Sequence, residues 1–287
     1  MRSASAVLDL TRLPGFSPHM VREVGVPAAL FAFCAVFPST WVAATYLVVG
    51  QGHFLMAFLY QHRAGKMRTV RYIILAILTL AAAFWYFRDV GLAMPMLVVA
   101  ATAFGLHFAV DEFYLHKEKV TWEKGLTIAG FGILYSTLML KFASPIFAPV
   151  VPYAVGAALA LILLRIFSSV PASGAERYLW LVQGLLVLLA VIFNLPGQVL
   201  AVIILLHCAN WALAYGEKVR PNPVRARRYW TDTTATLAVA TLLFTISAYG
   251  AFSVFQYLFV PMYWNAWAVA HFILSSQLAV GIKTPLG

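Results

Sequence analysis

Seven histidines occur in the chain: His19, His53, His62, His107, His116, His207 and His271. Four of them, His53, His107, His207 and His271, lie inside long apolar runs. An ionisable side chain there is rare, usually faces an interior and usually marks function. Neutral imidazole suits iron, zinc, copper and nickel, so the set raises the expectation of a metal or haem site. One such histidine alone would more often be a hydrogen-bonded interior residue; the expectation rests on all four. Around the second the sequence reads FGLHFAVDEFYLHKE. Asp111 follows His107 by one helical turn and shares its face, and Glu112 stands in the same relation to His116. At 100° per residue the two pairs point about 140° apart, so a regular helix cannot aim all four at one centre. His107 is assigned to the site, with Asp111 or Glu112 as the acid that orients an imidazole and raises its basicity. His116, beside Lys117, reads as half of a solvated pair with Glu112. His62, beside Arg63, reads as interfacial, and His19 lies outside the runs. In LLHCANWALAYGEK, Asn210 and Trp211 come one turn after His207. Both are candidates to line a substrate cavity, Trp211 from the His207 face and Asn210 as a hydrogen-bonding group. In VVGQGHF, Gly50 and Gly52 bracket Gln51 just before His53, a pattern that permits close helix approach. Cys34 and Cys208 sit in apolar runs and suggest no disulfide framework.

The elements that must position these residues follow from composition. Of 287 residues, 62% are hydrophobic and only 10% charged, against about 25% charged in a soluble domain. That excludes a water-soluble enzyme, a disordered chain and a nucleic-acid-binding domain, despite the net charge of +10. The expected fold is all-α, a polytopic transmembrane bundle of about ten segments, with eight as the lower bound. They fall near 24–37, 39–61, 72–87, 93–115, 125–142, 153–168, 178–194, 197–216, 233–258 and 262–282. The first is short for a crossing and reads as re-entrant or tilted. Residues 1–23 form an N-terminal cytoplasmic segment, and 24–287 a single membrane domain. Of the 20 Lys and Arg residues, 18 fall in alternate connections and only Arg88 and Lys141 in the others. Cytoplasmic loops retain Lys and Arg, so the basic loops and both termini are expected in the cytoplasm, around a prokaryotic inner membrane. Trp41, Trp85, Trp230 and Trp264 fall near span ends, as interfacial anchors do. With this topology the four histidine-bearing spans run in one direction. Their histidines lie eight to eleven residues from the cytoplasmic ends, about 12–17 Å deep at the helical rise. They form one layer, although depth says nothing about whether the faces converge.

The order and spacing resemble the Brp/Blh family of bacterial and archaeal membrane proteins, the β-carotene 15,15′-dioxygenases. That family carries a Pro-His-Gly element, a His-Phe element followed by Asp, a His-x-x-x-His element and a late Pro-His. The counterparts are Gly52-His53-Phe54, His107-Phe108 with Asp111 and Glu112, His207 with Trp211 four residues on, and Ala270-His271. The intervals of 54, 100 and 64 residues between the histidines are similar to the family's layout. The chain departs from it at Trp211, where a second histidine would stand, and at Ala57, where an acid would stand. The resemblance implies a non-haem Fe(II) oxygenase: O₂ as co-substrate, a long lipophilic substrate such as a carotenoid, and oxidative cleavage to retinal. The residues themselves leave three other classes open. These are a b-type haem electron carrier with two axial histidines, a two-iron lipid desaturase or hydroxylase, and a proton-coupled transporter. Partners are membrane lipids and the lipophilic substrate, with no nucleic acid.

Overall fold

The computed structural model describes residues 21–63, 65, 90–183, 196–250, 256–259, 267, 268, 270 and 271. Every regular element among them is helical. A π-helical turn at Val21–Gly25 leads into α1 (Val26–Val36), and α2 follows as Ser39–Arg63. Next come α3 (Val90–Leu115), α4 (Trp122–Ala143), a 3₁₀ turn at Pro145–Val150 and α5 (Val151–Ile166). The short α6 (Gly174–Tyr178) continues as a π-turn through Gln183. Last are α7 (Pro196–Val219), α8 (Pro223–Ala248) and the brief α9 (Gln256–Phe259). Five stretches are long and apolar enough to cross a membrane: Ser39–Arg63, Leu97–Leu115, Pro145–Ile166, Leu200–Val219 and Pro223–Ala248. The chain is therefore an all-helical protein of membrane type. The expected span 72–87, the later part of 178–194 and most of 262–282 lie outside the described residues.

Two boundaries differ from expectation. The basic stretch 218–232, between the expected spans 197–216 and 233–258, is mostly helix, because α8 begins at Pro223 rather than near 233. Asn222 accepts the Arg225 backbone N–H and Pro223 occupies the first turn, a start that needs no N–H from proline. That helix ends at Ala248, where Gly250 at φ +66 turns the chain, so 233–258 is not one continuous helix. The expected segment 24–37 contains only the 11-residue α1. At the helical rise that is roughly 16 Å, half of a hydrocarbon core.

Helix α7 is the axis of the bundle. Six consecutive positions, Ala201 to Leu206, are buried, which requires neighbours on every side. Helices α1, α2, α3, α4 and α8 supply them. In contrast, α5 and α8 expose Leu159, Leu163, Leu164, Leu237 and Leu242, the apolar outer surface that lipid would cover. Helices α3 and α4 cross at glycines. A Cβ on Gly105 would overlap the Gly132 carbonyl oxygen and lie 2.9 Å from the Ser136 backbone nitrogen. The close approach lets Ser136 Oγ donate to the Ala101 carbonyl at 3.0 Å, the small-residue packing that joins helices without a hydrophobic drive. Gly52 lies more loosely against Leu237 of α8, whose backbone Cα is 3.4 Å from where a Cβ would sit, an ordinary contact.

The helix ends rich in Lys and Arg are tied together at one end of the bundle. Arg63, at the end of α2, pairs with Asp232 on α8. His116, after α3, reaches Glu23 Oε1 at 3.1 Å. In the α3–α4 connection, Glu118 accepts from Lys124 Nζ at 2.8 Å and from the Ala175 backbone N–H at 3.1 Å. Burial would push the Glu118 carboxyl up, but these donors outweigh it and hold its pKa at about 2. Arg165, which counts by sequence as a loop charge, is buried. Its guanidinium grips Glu176 with two bonds of 2.7 Å, and Ser173 and Glu176 close a capping box on α6.

Candidate metal centre

Each of the four histidines from the apolar runs is carried by a different segment: His53 by α2, His107 by α3, His207 by α7 and His271 by the helical residues 270–271. Their rings meet. Ring centroids are 5.2 Å apart for His53–His207, 5.1 Å for His207–His107, 5.5 Å for His107–His271 and 4.8 Å for His271–His53. Those four contacts close a circuit. Neighbouring rings stand edge to face, at 62° to 78°. His107, His207 and His271 are each about 5% exposed. Phe108 packs on His207 at 4.6 Å and Phe54 on His271 at 5.3 Å, walling the circuit with apolar rings.

Ligand atoms converge with the rings. One nitrogen from each of His53, His207 and His271 lies within 4.8 Å of the other two. His107, Asp111 and His207 form an overlapping group with the same property. Buried His53 Nε2 and His207 Nδ1 make no hydrogen bond among the described residues. Burying an imidazole nitrogen with nothing to bond costs free energy, and an ion shared by the rings would remove that cost.

The two acids separate as their 100° offset requires. Asp111 turns into the circuit: Oδ1 is 3.4 Å from His107 Nδ1, and Oδ2 is 3.7 Å from His207 Nδ1. The Trp211 indole N–H donates to Asp111 Oδ2 at 2.6 Å. Glu112 turns the other way, accepting from Asn210 Nδ2 at 3.2 Å. Asn210 also donates to the Tyr178 hydroxyl at 2.9 Å, and with 1% exposure it is a buried strut between α3, α6 and α7. The solvated Glu112–His116 pair expected from sequence does not form. Glu112 is 2% exposed, and His116 Nδ1 lies 2.7 Å from its carbonyl oxygen rather than its carboxylate. The reason is tertiary: Glu23 and Tyr178 cover His116. His62 is exposed, as an interfacial residue should be, and His19 lies outside the described residues. The indole donor on Asp111 and the Tyr178 strut are the parts missed by sequence; only the i, i+4 spacing of His207 and Trp211 hinted at the first.

Models of known families, curated proteins and solved structures give no match to this chain.

Proposed function

We propose that the four imidazoles hold one ferrous ion within the membrane and that the chain is an O₂-dependent oxygenase for a long lipophilic substrate. Oxidative cleavage of a carotenoid to retinal is the reaction that the Brp/Blh resemblance implies, and we adopt it as the specific reading. The closed circuit of four histidines from four segments is the observation that carries it. Iron with only imidazole ligands would keep coordination positions open and supply the activation of O₂. The protein's share is positional. Asp111, fixed by the Trp211 N–H, orients the His107 ring and raises its basicity, so that Nε2 is the atom left to bind. Phe54 and Phe108 keep water from that side. The Asn210–Glu112–Tyr178 network fixes the spacing of α3 and α7, on which His107 and His207 ride.

A haem fits less well. Two axial histidines must stand on opposite faces of a porphyrin, but rings in contact around a circuit leave no slot for that plane.

Elemental analysis of purified protein tests the reading, with each histidine replaced in turn. The expected result is one iron per chain, lost on replacing His53, His107, His207 or His271 by Ala and retained in His62→Ala and His116→Ala. Metal that survives two replacements within the first group rules out this site.

A further inference from the structure

Trp211 is not only a donor to Asp111. It begins a pile of oxidisable rings that the oxygenase reading does not use. Trp211 stacks on Tyr215 at 5.3 Å and 25°, and on Tyr114 at 5.4 Å and 22°. Tyr215 continues to Tyr229 at 6.3 Å and 19°, and Tyr229 to Trp230 at 5.2 Å. All lie in the contact range of interacting aromatic pairs. One end of the pile is hydrogen-bonded to the carboxylate that faces His107 and His207. The pile reaches the surface twice, at Tyr114, directly against Trp211, and at its far end, Trp230, 38% and 45% exposed. Lys218 Nζ lies 5.6 Å from the Tyr215 ring, at the basic end of the bundle. An interfacial aromatic belt would account for Trp230 and Tyr114. It does not account for an unbroken line of rings running inward to Asp111.

We infer that Trp211, Tyr215 and Tyr114 form a one-electron relay between the histidine centre and the aqueous surface. The inference rests on a redox metal in the circuit. When an oxidant formed there from O₂ or a peroxide lacks an electron, Trp211 gives one and passes its Nε1 proton to Asp111 Oδ2. Tyr215 then returns an electron to Trp211, Asp111 returns the proton, and the Tyr215 phenolic proton leaves toward the basic end of the bundle, where Tyr114 is exposed. The net transfer is one electron inward and one proton outward, leaving a tyrosyl radical that an aqueous one-electron reductant refills at Tyr114. The relay discharges the centre when oxidant forms without substrate, and so protects the histidines.

The test uses the full-length protein in detergent, loaded with ferrous iron and mixed with hydrogen peroxide in the absence of substrate. Two waters form from each peroxide: the ferrous ion gives one electron, Tyr215 gives one electron and one proton, and solvent gives the other proton. Freeze-quenched samples should show a tyrosyl signal by electron paramagnetic resonance, narrowed when the tyrosines are ring-deuterated. Tyr215→Phe keeps the stacked ring but not its oxidisable phenol, and should abolish the signal with iron content unchanged. Tyr153→Phe, far out on α5 and 80% exposed, should leave the signal as it is. A signal that survives Tyr215→Phe, or no protein radical in iron-loaded wild type, overturns the relay and leaves the metal reading standing. Wild-type protein that retains no iron overturns both.

Discussion

Asp111 and Glu112 are neighbours of the same chemistry, and 100° of helix rotation gives them different work. Asp111 lies between two imidazoles with an indole N–H fixing it; Glu112 braces Asn210 and Tyr178. Sequence could show that both could not face one centre, because that follows from helical period alone. It could not say which of them would, because the choice depends on where α7 lies relative to α3. For the same reason His116 was misread: the residues that bury it, Glu23 and Tyr178, are 93 and 62 positions away. Trp211, one turn after His207, is a hydrogen-bond donor to Asp111. Trp211→Phe keeps the ring and removes the N–H. Loss of an outer-shell partner typically costs 10–100-fold in metal affinity, and we expect a loss of about that size in chelator competition. Glu112→Gln, which does not touch the circuit, should change affinity far less. Equal effects from the two variants would mean that Asp111 does not act on the centre through its imidazole contacts.

Helices bring the rings together only if their axes approach closely, and the glycines set those distances. Gly105 on α3 lies two residues before His107, against Gly132 of α4; Gly52 on α2 precedes His53 and touches α8. The Gly-Gln-Gly pattern pointed to close approach at α2, but Gly52 makes only ordinary contact with α8, and the tight crossing is at Gly105. The α8 start was also legible: Asn-Pro before a helical pattern is a start signal, but the basic residues after it drew the stretch into the loop. The Ser173-x-x-Glu176 capping box was a second unread start signal. Gly105→Ala places a methyl group against backbone that cannot give way, and overpacking of this kind costs about 1–3 kcal/mol. Gly156→Ala, on the outer side of α5 with nothing within 4 Å, should be neutral or gain up to about 1 kcal/mol from helix propensity. Thermal unfolding in detergent separates the two. A Gly105→Ala protein as stable as Gly156→Ala would mean that the α3–α4 crossing is looser than described.

At the scale of the molecule, the layer of histidines follows from topology plus depth, and convergence follows from neither. Four residues at one level still have four independent azimuths, set by side-by-side packing over sequence intervals of 54 to 218 residues. What sequence did contain was the sidedness of the bundle. The basic ends are joined in sequence by Arg63–Asp232 between α2 and α8, Tyr229–Ala212 between α8 and α7, Asn210–Glu112 between α7 and α3, Lys124–Glu118 and Ala175–Glu118 at the starts of α4 and α6, and Arg165–Glu176 between α5 and α6, so they share an end whatever membrane surrounds them. We propose that this end is cytoplasmic, because Lys and Arg resist translocation. Single cysteines at Gly65 and Lys119 should then react with an impermeant maleimide only from the cytoplasmic side. A cysteine at Val150, which is 57% exposed at the start of α5, should react only from the other. The two native thiols, Cys34 and Cys208, are buried and should add little background. Labelling of Lys119 and Val150 from the same side would mean that α4 does not cross. His107 would then no longer have a fixed depth, since its helix meets α4 at Gly105, and the four imidazoles would have no common level in the membrane.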